Sequence, residues 1–380
     1  MNKKQLELFQ SFKILRFPLM GIAVILVMLC HVNFTFMTAL SRLPLPIGVD
    51  IFFYLSGYGL IISFKEKRPG MWQFYKKRLL RIFPTLWFIV IIFFIITNSL
   101  PESIQSKLIT KYTFPVLLRQ MFGVNYLWNN DFFLWFIDAI VVLYIIFPLY
   151  ATKFLNSRYK GLITYAGILM ALVASAIIGQ TNVNPVMQLF IIRIPAFLIG
   201  IYVGDNMAET AETVETEKKG IHWLYKNSTI TLLLLLGIIA TALMVLIAIK
   251  YQINQQILIV KYGLIYYPFV IFVHPVILLI FKVFKLMSKV KIFSLIIKAF
   301  AFIGSISLQV YIVHMFVLTV VYYAINFAPF AKNITNIMWI AGMLLSILIG
   351  YLTYKVISIF ESNADKVKKA EVISFQGLNQ

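Results

Sequence analysis

The sequence is short of charged residues and of cysteine. Only 13% of its 380 residues are Asp, Glu, Lys or Arg, whereas a soluble domain carries about a quarter. This scarcity excludes an ordinary water-soluble fold and indicates an integral membrane protein. The one cysteine, Cys30, can form neither an intramolecular disulfide nor a cysteine-based metal site.

Long apolar runs fill most of the chain. Hydrophobic residues make up 61% of it, and repeated runs of roughly 18 to 25 such residues predict membrane-spanning helices. We predict an all-α fold: a polytopic transmembrane bundle of about ten helices. It is expected to form one membrane domain over residues 1–380, with a short N-terminal segment at 1–16 and a tail at 361–380. The predicted helices cover residues 17–40, 46–64, 82–98, 132–150, 161–179, 185–204, 228–249, 257–280, 299–325 and 337–359.

The net charge of +20 is distributed unevenly between the two sides of this bundle. With the N-terminus in the cytoplasm, 26 of the 34 Lys and Arg residues fall in inside segments and 7 in outside segments. That asymmetry is the positive-inside pattern, which places both termini in the cytoplasm. The excess of Lys and Arg over Asp and Glu therefore reflects membrane topology, and we expect no nucleic-acid partner.

One histidine stands near the end of the first apolar run, in "GIAVILVMLCHVNF". His31 lies about 21 Å along the helix from Phe17 at 1.5 Å per residue, well past the bilayer midplane. Ionisable groups inside a bilayer are costly and mark functional sites by default. A neutral imidazole there could accept a proton. The structural alternative is a hydrogen bond to a neighbouring helix.

Four further ionisable residues lie in or near the predicted membrane region. Asp50 could hold the His31 imidazole in one tautomer, or it could cap a helix or form a structural ion pair. Asp138 and Arg193 fall at similar depth, which favours an ion pair between helices. Alternatively, Arg193 stabilises developing charge in a reaction. His314 either lines an internal polar cavity or has only a packing role in the helix bundle.

A basic segment, "KKRLLRIFP", precedes the third predicted helix. Arg78 and Arg81 are three residues apart, so both lie on one face of a helix, and guanidinium groups match phosphate oxygens in geometry. Ordinary positive-inside anchoring would equally explain the seven positive residues between Phe64 and Ile82.

Several segments, in order, resemble the acyltransferase-3 family of bacterial membrane O-acyltransferases. The first helix of that family ends in a valine-rich run and a histidine, as in "ILVMLCH", and the second opens with a pattern matched by "GVDIFFYLSGYGL". An Arg-x-x-Arg-Ile-x-Pro motif accompanies the third, as in "RLLRIFP". Weaker matches are "LWFIDAIVVLY", "RIPAFLIGIYVG" and "SISLQVYIVH".

The resemblance implies roles for particular residues. His31 corresponds to the family's catalytic histidine, and Arg78 and Arg81 would hold the phosphates of an acyl-CoA donor. The family commonly has an arginine eleven residues before this histidine, where this sequence has Met20. Arg16, one turn earlier and about 60° round the helix from His31 at 100° per residue, could substitute for it in binding the donor.

We therefore predict an enzyme of the inner (plasma) membrane that moves an acyl group, most simply acetyl, from cytoplasmic acyl-CoA to a hydroxyl group. The expected acceptor is a cell-envelope glycan or its lipid-linked precursor. Besides these substrates we expect membrane lipids as partners, no metal and no permanently bound cofactor. The rival prediction is a transporter of glycan intermediates that uses the buried charges as pathway residues. A third, a membrane scaffold without catalysis, follows from Met20.

Overall fold

A computed structural model describes residues 3–37, 45–100, 113–124, 134–180, 185–212, 226–250, 267–288, 290–327 and 329–377. Nearly all of these residues are helical, and none of them lies in a strand. Eight helices among them are long and apolar enough to cross a membrane, and two shorter apolar helices begin at Leu15 and Asn227. The predicted class, an all-α transmembrane bundle, is confirmed.

The described residues form the following helices. In chain order they are α1 (Lys3–His31), α2 (Ile47–Lys67), α3 (Met71–Ser99), α4 (Phe114–Met121), α5 (Trp135–Asn156), α6 (Lys160–Gln180), α7 (Pro185–Ile191), α8 (Ile194–Glu212), α9 (Asn227–Lys250), α10 (Tyr267–Met287), α11 (Lys291–Ser305), α12 (Ser307–Phe327) and α13 (Thr335–Gly377), with a 3₁₀ helix at Pro329–Ile334.

Some predicted boundaries were wrong. The first helix ends at His31, whereas the prediction carried it to residue 40; residues 38–40 of that prediction lie outside the described ones. The predicted span 299–325 is two helices, α11 and α12, separated by a turn at Ile306. Helix α3 begins at Met71 and includes "KKRLLRIFP", so Arg78 and Arg81 lie within a helix and not before it.

The contacts divide the chain into two compact units. Unit 1 contains Met1–Val32, Phe36–Arg78 and Phe122–Ser305, and unit 2 contains Asn33–Thr35, Leu79–Met121 and Ile306–Gln380. Helix α3 belongs partly to each. The prediction of a single membrane domain stays a prediction.

In unit 1, glycine lets α2 and α8 approach closely. A methyl group at Gly57 would collide with the carbonyl oxygen of Phe197, and one at Gly200 would collide with that of Tyr54. The contact repeats one turn further, where a methyl group at Gly204 would lie 2.9 Å from the Tyr58 carbonyl oxygen. Apolar side chains gain little by leaving lipid for protein, so membrane helices associate through such close backbone packing of small residues.

Helix α1 packs against both α2 and α11 in the same unit. Gly21 of α1 meets the backbone of Phe300, and Gly304 of α11 meets the backbone of Phe17. Gly48, at the start of α2, lies against Ala23 to Val27 of α1. Since Gly59, later in α2, lies against Arg16, α1 and α2 run antiparallel.

Unit 2 uses the same kind of packing between α12 and α13, where Gly350 lies against Val310 and Gly342 against Val321. The Asn336 side chain accepts a hydrogen bond from the backbone N–H of Thr35 at 2.9 Å and donates one to its hydroxyl at 2.8 Å. This two-point contact fixes the short segment that follows His31 to the start of α13.

Candidate active site

His31 is the last residue of α1. Its side chain is exposed, whereas Val32 next to it is buried. Residues 32–34, which follow it, are not helical. An accessible imidazole at the end of an apolar helix can meet a substrate group directly, as the catalytic prediction requires. Cys30 is the preceding residue and points about 100° away around the helix, so the two do not form a dyad.

A buried ion pair lies between α2 and the junction of α7 with α8. The Arg193 Nε lies 3.6 Å from Asp50 Oδ1, and their side chains are 2% and 1% exposed. From the sequence, Asp138 is the favoured partner of Arg193, and Asp50 is a partner of His31, a helix cap or a member of a structural ion pair. The structure pairs Arg193 with Asp50.

A break in the helical path positions Arg193. Helix α7 ends at Ile191 and α8 begins at Ile194, with a turn at 192–193. The Arg193 backbone N–H donates to the Phe190 carbonyl at 3.0 Å. A candidate span that runs from Met187 to Ala208 includes this turn, so the guanidinium emerges from non-helical backbone inside an apolar segment. Irregular backbone at membrane depth is tolerated only where protein or water surrounds it.

The ion pair also lies within electrostatic range of the end of α1, because the Arg193 guanidinium interacts with Cys30. Gly48 fixes the register: it faces Ala23 to Val27, four to eight residues before His31, or roughly 6–12 Å along the helix. Asp50 lies further still from His31 along the antiparallel α2. A direct Asp50–His31 contact stays a prediction. Arg193 interacts electrostatically both with Asp50 and with Cys30, the residue before His31.

Asp138 lies in the first turn of α5 and is 2% exposed. A carboxylate in the first turn of a helix is stabilised by the helix dipole. Gly123, which has a left-handed φ of 66°, approaches it: a methyl group at that glycine would lie 3.6 Å from the Asp138 Oδ1. Asp138 is therefore a buried acid at the start of α5, next to Gly123. Its functional role stays a prediction.

His314 lies in unit 2, on α12, and is 1% exposed. Its Nδ1 lies 2.5 Å from the Tyr311 carbonyl oxygen. A carbonyl only accepts, so Nδ1 carries the hydrogen and Nε2 carries the lone pair of the neutral ring. Backbone bonding thus fixes the tautomer, which is how proteins prepare an imidazole for use at its other nitrogen.

The candidate donor-binding arginines lie in different settings. The Arg16 guanidinium packs on Gly59, where a methyl group would be 2.8 Å from Nη2, and it interacts electrostatically with Tyr58. Arg78 is half-buried, with its guanidinium 5.7 Å from the centre of the Phe74 ring. Arg81 is exposed.

Sequence reasoning missed a buried acid, Asp205 of α8. Its side chain is 0% exposed, and its two oxygens lie 2.7 Å from Lys160 Nζ and 3.4 Å from Lys65 Nζ. The predicted helix ended at residue 204, which left Asp205 just outside it. The apolar residues that continue after it, Met207 and Ala208, were the available signal, and both are buried.

His274 has a defined structural partner. It is buried on α10, and its Nδ1 lies 2.9 Å from the Tyr54 hydroxyl of α2. The following residue, Pro275, lies inside the same helix. This bond joins α10 to α2 in unit 1.

The comparison with protein families supports the resemblance seen in the sequence. A family model described as an acyltransferase domain matches residues 19–355. No curated protein and no solved structure matches the chain significantly. Together with its eight candidate membrane spans, this match makes the chain a multi-pass membrane acyltransferase. It belongs to the acyltransferase-3 family.

Proposed function

We propose that this membrane acyltransferase transfers an acetyl group from cytoplasmic acyl-CoA to a hydroxyl of a cell-envelope glycan or its lipid-linked precursor, and that it resides in the inner membrane. The observation that carries the proposal is the exposed His31 at the end of the first helix, inside the region that the family model matches. A hydroxyl acceptor needs such a base, because it is a weak nucleophile until its proton is removed.

Arg16 and His31 lie far apart along α1. Arg16 and His31 are fifteen residues apart in one helix, or about 22 Å. The charge asymmetry assigns the Arg16 end to the cytoplasm, where acyl-CoA is found. We infer that the donor binds with its phosphates at Arg16, Arg78 and Arg81, and that its long flexible arm carries the thioester toward His31.

The reaction balances in either of two ways. In direct transfer, His31 takes the acceptor's proton, the oxygen attacks the thioester carbonyl, and the carbon–sulfur bond breaks. The departing thiolate then receives the proton, giving the O-acyl ester and free CoA. In the relay, a ring nitrogen of His31 attacks the thioester carbonyl, the carbon–sulfur bond breaks and CoA leaves as a thiolate. The acceptor hydroxyl then displaces the ring from the acyl-imidazole, and its proton passes through the freed imidazole to the CoA thiolate. Both routes give the same products.

One observation favours a second candidate function, transport of a glycan intermediate. The break at 192–193 places a turn and a buried charge pair inside a membrane segment, and transporters place such broken helices at their binding sites. A transporter would move its cargo without acyl-CoA. Dependence on the donor therefore separates the two candidates.

The test follows radiolabelled acetyl groups from acetyl-CoA into the envelope glycan fraction, at matched membrane abundance. His31→Gln keeps hydrogen-bonding capacity but is not a base at neutral pH, so we expect transfer to fall about 10²- to 10⁴-fold. His222→Gln, at a histidine outside the described residues, is the matched control and should transfer normally. Near-normal transfer by His31→Gln would reject the catalytic role, and donor-independent glycan movement would favour the transporter.

A further inference from the structure

Helix α11 carries a row of side chains in which lysines alternate with large apolar residues. The row, called here the α11 stripe, consists of Lys291, Leu295, Lys298 and Phe302. Their spacing of four, three and four residues places all of them on one face of the helix. Both lysines are exposed, and the two apolar side chains are 64% and 47% exposed. The stripe is therefore open to whatever surrounds the bundle.

The stripe points away from the side of α11 that packs in unit 1. That side is marked by Gly304, which is buried and where an added methyl group would collide with the Phe17 carbonyl oxygen of α1. At 100° per residue, Lys291 and Lys298 lie about 120–140° round the helix from Gly304. Within the part of the chain that the structure describes, protein thus covers the glycine side of α11 and leaves the stripe exposed.

The sequence around the stripe is basic over a long distance. The segment from Lys282 to Lys298 contains five lysines, and no Asp or Glu occurs anywhere between Glu217 and Glu361. The charge asymmetry of the chain predicts that this segment lies on the cytoplasmic side of the membrane. The lipid surface there is negative and attracts clusters of lysines on amphipathic helices. The charge of the stripe is thus complementary to an anionic lipid surface.

The apolar members of the stripe favour a lipid over a soluble anion. A nucleotide or free phosphate would contact the lysines and leave Leu295 and Phe302 in water. A phospholipid matches both kinds of side chain, because its acyl chains cover the apolar residues while its phosphate meets the ammonium groups. The methylene stems of lysine can lie along the same apolar surface with their charged ends at the headgroups.

We propose that the α11 stripe binds anionic phospholipid, with its two lysines at the headgroups and its two apolar side chains against the acyl chains. This binding needs neither the acyl donor nor the reaction at His31. Because α11 packs directly on α1, the bound lipid stabilises the folded state of unit 1, as any ligand does that binds only the folded protein.

The test measures how much phosphatidylglycerol the full-length protein binds in detergent, counted by native mass spectrometry during a lipid titration. Lys291→Gln/Lys298→Gln should weaken binding by roughly fivefold for each lysine lost. Lys76→Gln/Lys77→Gln removes the same charge from exposed positions on α3 and should change binding less than twofold. Lys291→Arg/Lys298→Arg keeps the charge and should retain most of the binding.

A second readout is the apparent Tm. Phosphatidylglycerol should raise the Tm of the wild-type protein above its value in phosphatidylcholine, and this difference should disappear in the Gln pair of α11. In phosphatidylcholine alone that variant should match the wild type, since both lysines are exposed.

Three results would overturn the proposal. The first is wild-type phosphatidylglycerol binding by the Gln pair of α11. The second is an equal loss in the α3 pair, which would mean that the lysines attract lipid only through the general positive charge of this side. The third is displacement of the lipid by inorganic phosphate at constant ionic strength, which would assign the stripe to soluble anions.

Discussion

Arg193 and Asp50 lie 3.6 Å apart, from guanidinium Nε to carboxylate Oδ1, and both are almost fully buried. They join the start of α2 to the break between α7 and α8. The same two helices, α2 and α8, also approach closely at Gly57 and Gly200. The ion pair and the glycines therefore both belong to the packing of α2 against α8.

The first prediction concerns this ion pair. Arg193→Met removes one partner and leaves the Asp50 carboxylate buried without it, which typically costs about 3–5 kcal/mol. The double variant Asp50→Asn/Arg193→Met removes both charges and should recover much of that loss. The measurement is the apparent Tm of unfolding in one detergent. Equal Tm values for the single and double variants would show that the two charges are not coupled.

The second prediction concerns the contact between α2 and α8. Gly57→Ala places a methyl group against the backbone oxygen of Phe197, which cannot move without shifting α8. We expect a loss of about 1–3 kcal/mol, as for other overpacked sites, seen as a lower Tm and a smaller folded yield. Gly70→Ala is the matched control because no atom lies within 4 Å of the added methyl. Wild-type stability of Gly57→Ala would show that the helices separate readily.

Hydropathy and charge were enough to predict the class of fold but not the contacts within it. Transfer of an apolar helix into a bilayer depends on its composition and length, which the sequence contains. The rotation and register of each helix depend on partners elsewhere in the chain. The estimated depth of a residue in the membrane does not decide whether Asp50 or Asp138 pairs with Arg193. The packing of α2 against α8 decides it, because that packing places Asp50 beside Arg193.

Helix ends were predicted less well for a related reason. Asp205 directly follows the predicted end at residue 204, because a charged residue ends an apolar run. In the structure two lysines neutralise this acid, so α8 continues to Glu212. When residues distant in the sequence neutralise a buried charge, the sequence around that charge carries no pattern that reveals it. The same limit hid the turn at Ile306, which divides an apolar run into two helices.

The third prediction tests topology. The charge asymmetry places the connection around Gly70 in the cytoplasm and Lys332 outside. In a Cys30→Ser background, single cysteines at these two exposed positions should differ in labelling by a membrane-impermeant maleimide. Lys332→Cys should react in intact cells, and Gly70→Cys only after the membrane is opened. Labelling of both from the same side would overturn the assignment of the termini.

The fourth prediction concerns the fixed tautomer of His314. His314→Asn retains a donor near the position of Nδ1 and can keep the bond to the Tyr311 carbonyl, but it lacks the second ring nitrogen. We expect near-wild-type folded yield with acetyl transfer reduced at least about tenfold, as for loss of a positioned acid–base group. His314→Gln, which tends to lose the Tyr311 bond, should lower yield as well. Full transfer activity in His314→Asn would assign the ring a packing role only.

The last prediction separates phosphate binding from membrane anchoring on α3. Arg78 and Arg81 share a helix with Lys76 and Lys77, which are exposed and carry the same total charge. If the arginines only anchor the helix, replacing either pair with Gln has the same effect on CoA affinity. If they bind phosphate, Arg78→Gln/Arg81→Gln removes charge-assisted hydrogen bonds worth about 1.5–3 kcal/mol each. Calorimetry in zwitterionic nanodiscs should then show CoA binding weaker by at least about 100-fold.

The lysine pair is the control for this experiment. Lys76→Gln/Lys77→Gln should weaken CoA binding only through the long-range field, by about threefold or less, and the difference should disappear in high salt. The effect of the arginine pair should persist there, because Arg78 is half-buried and lies over the Phe74 ring. Raising the salt would thus remove an anchoring effect and leave a binding effect. Matching losses for the two pairs at low salt, both abolished by salt, would leave Arg78 and Arg81 as positive-inside anchors.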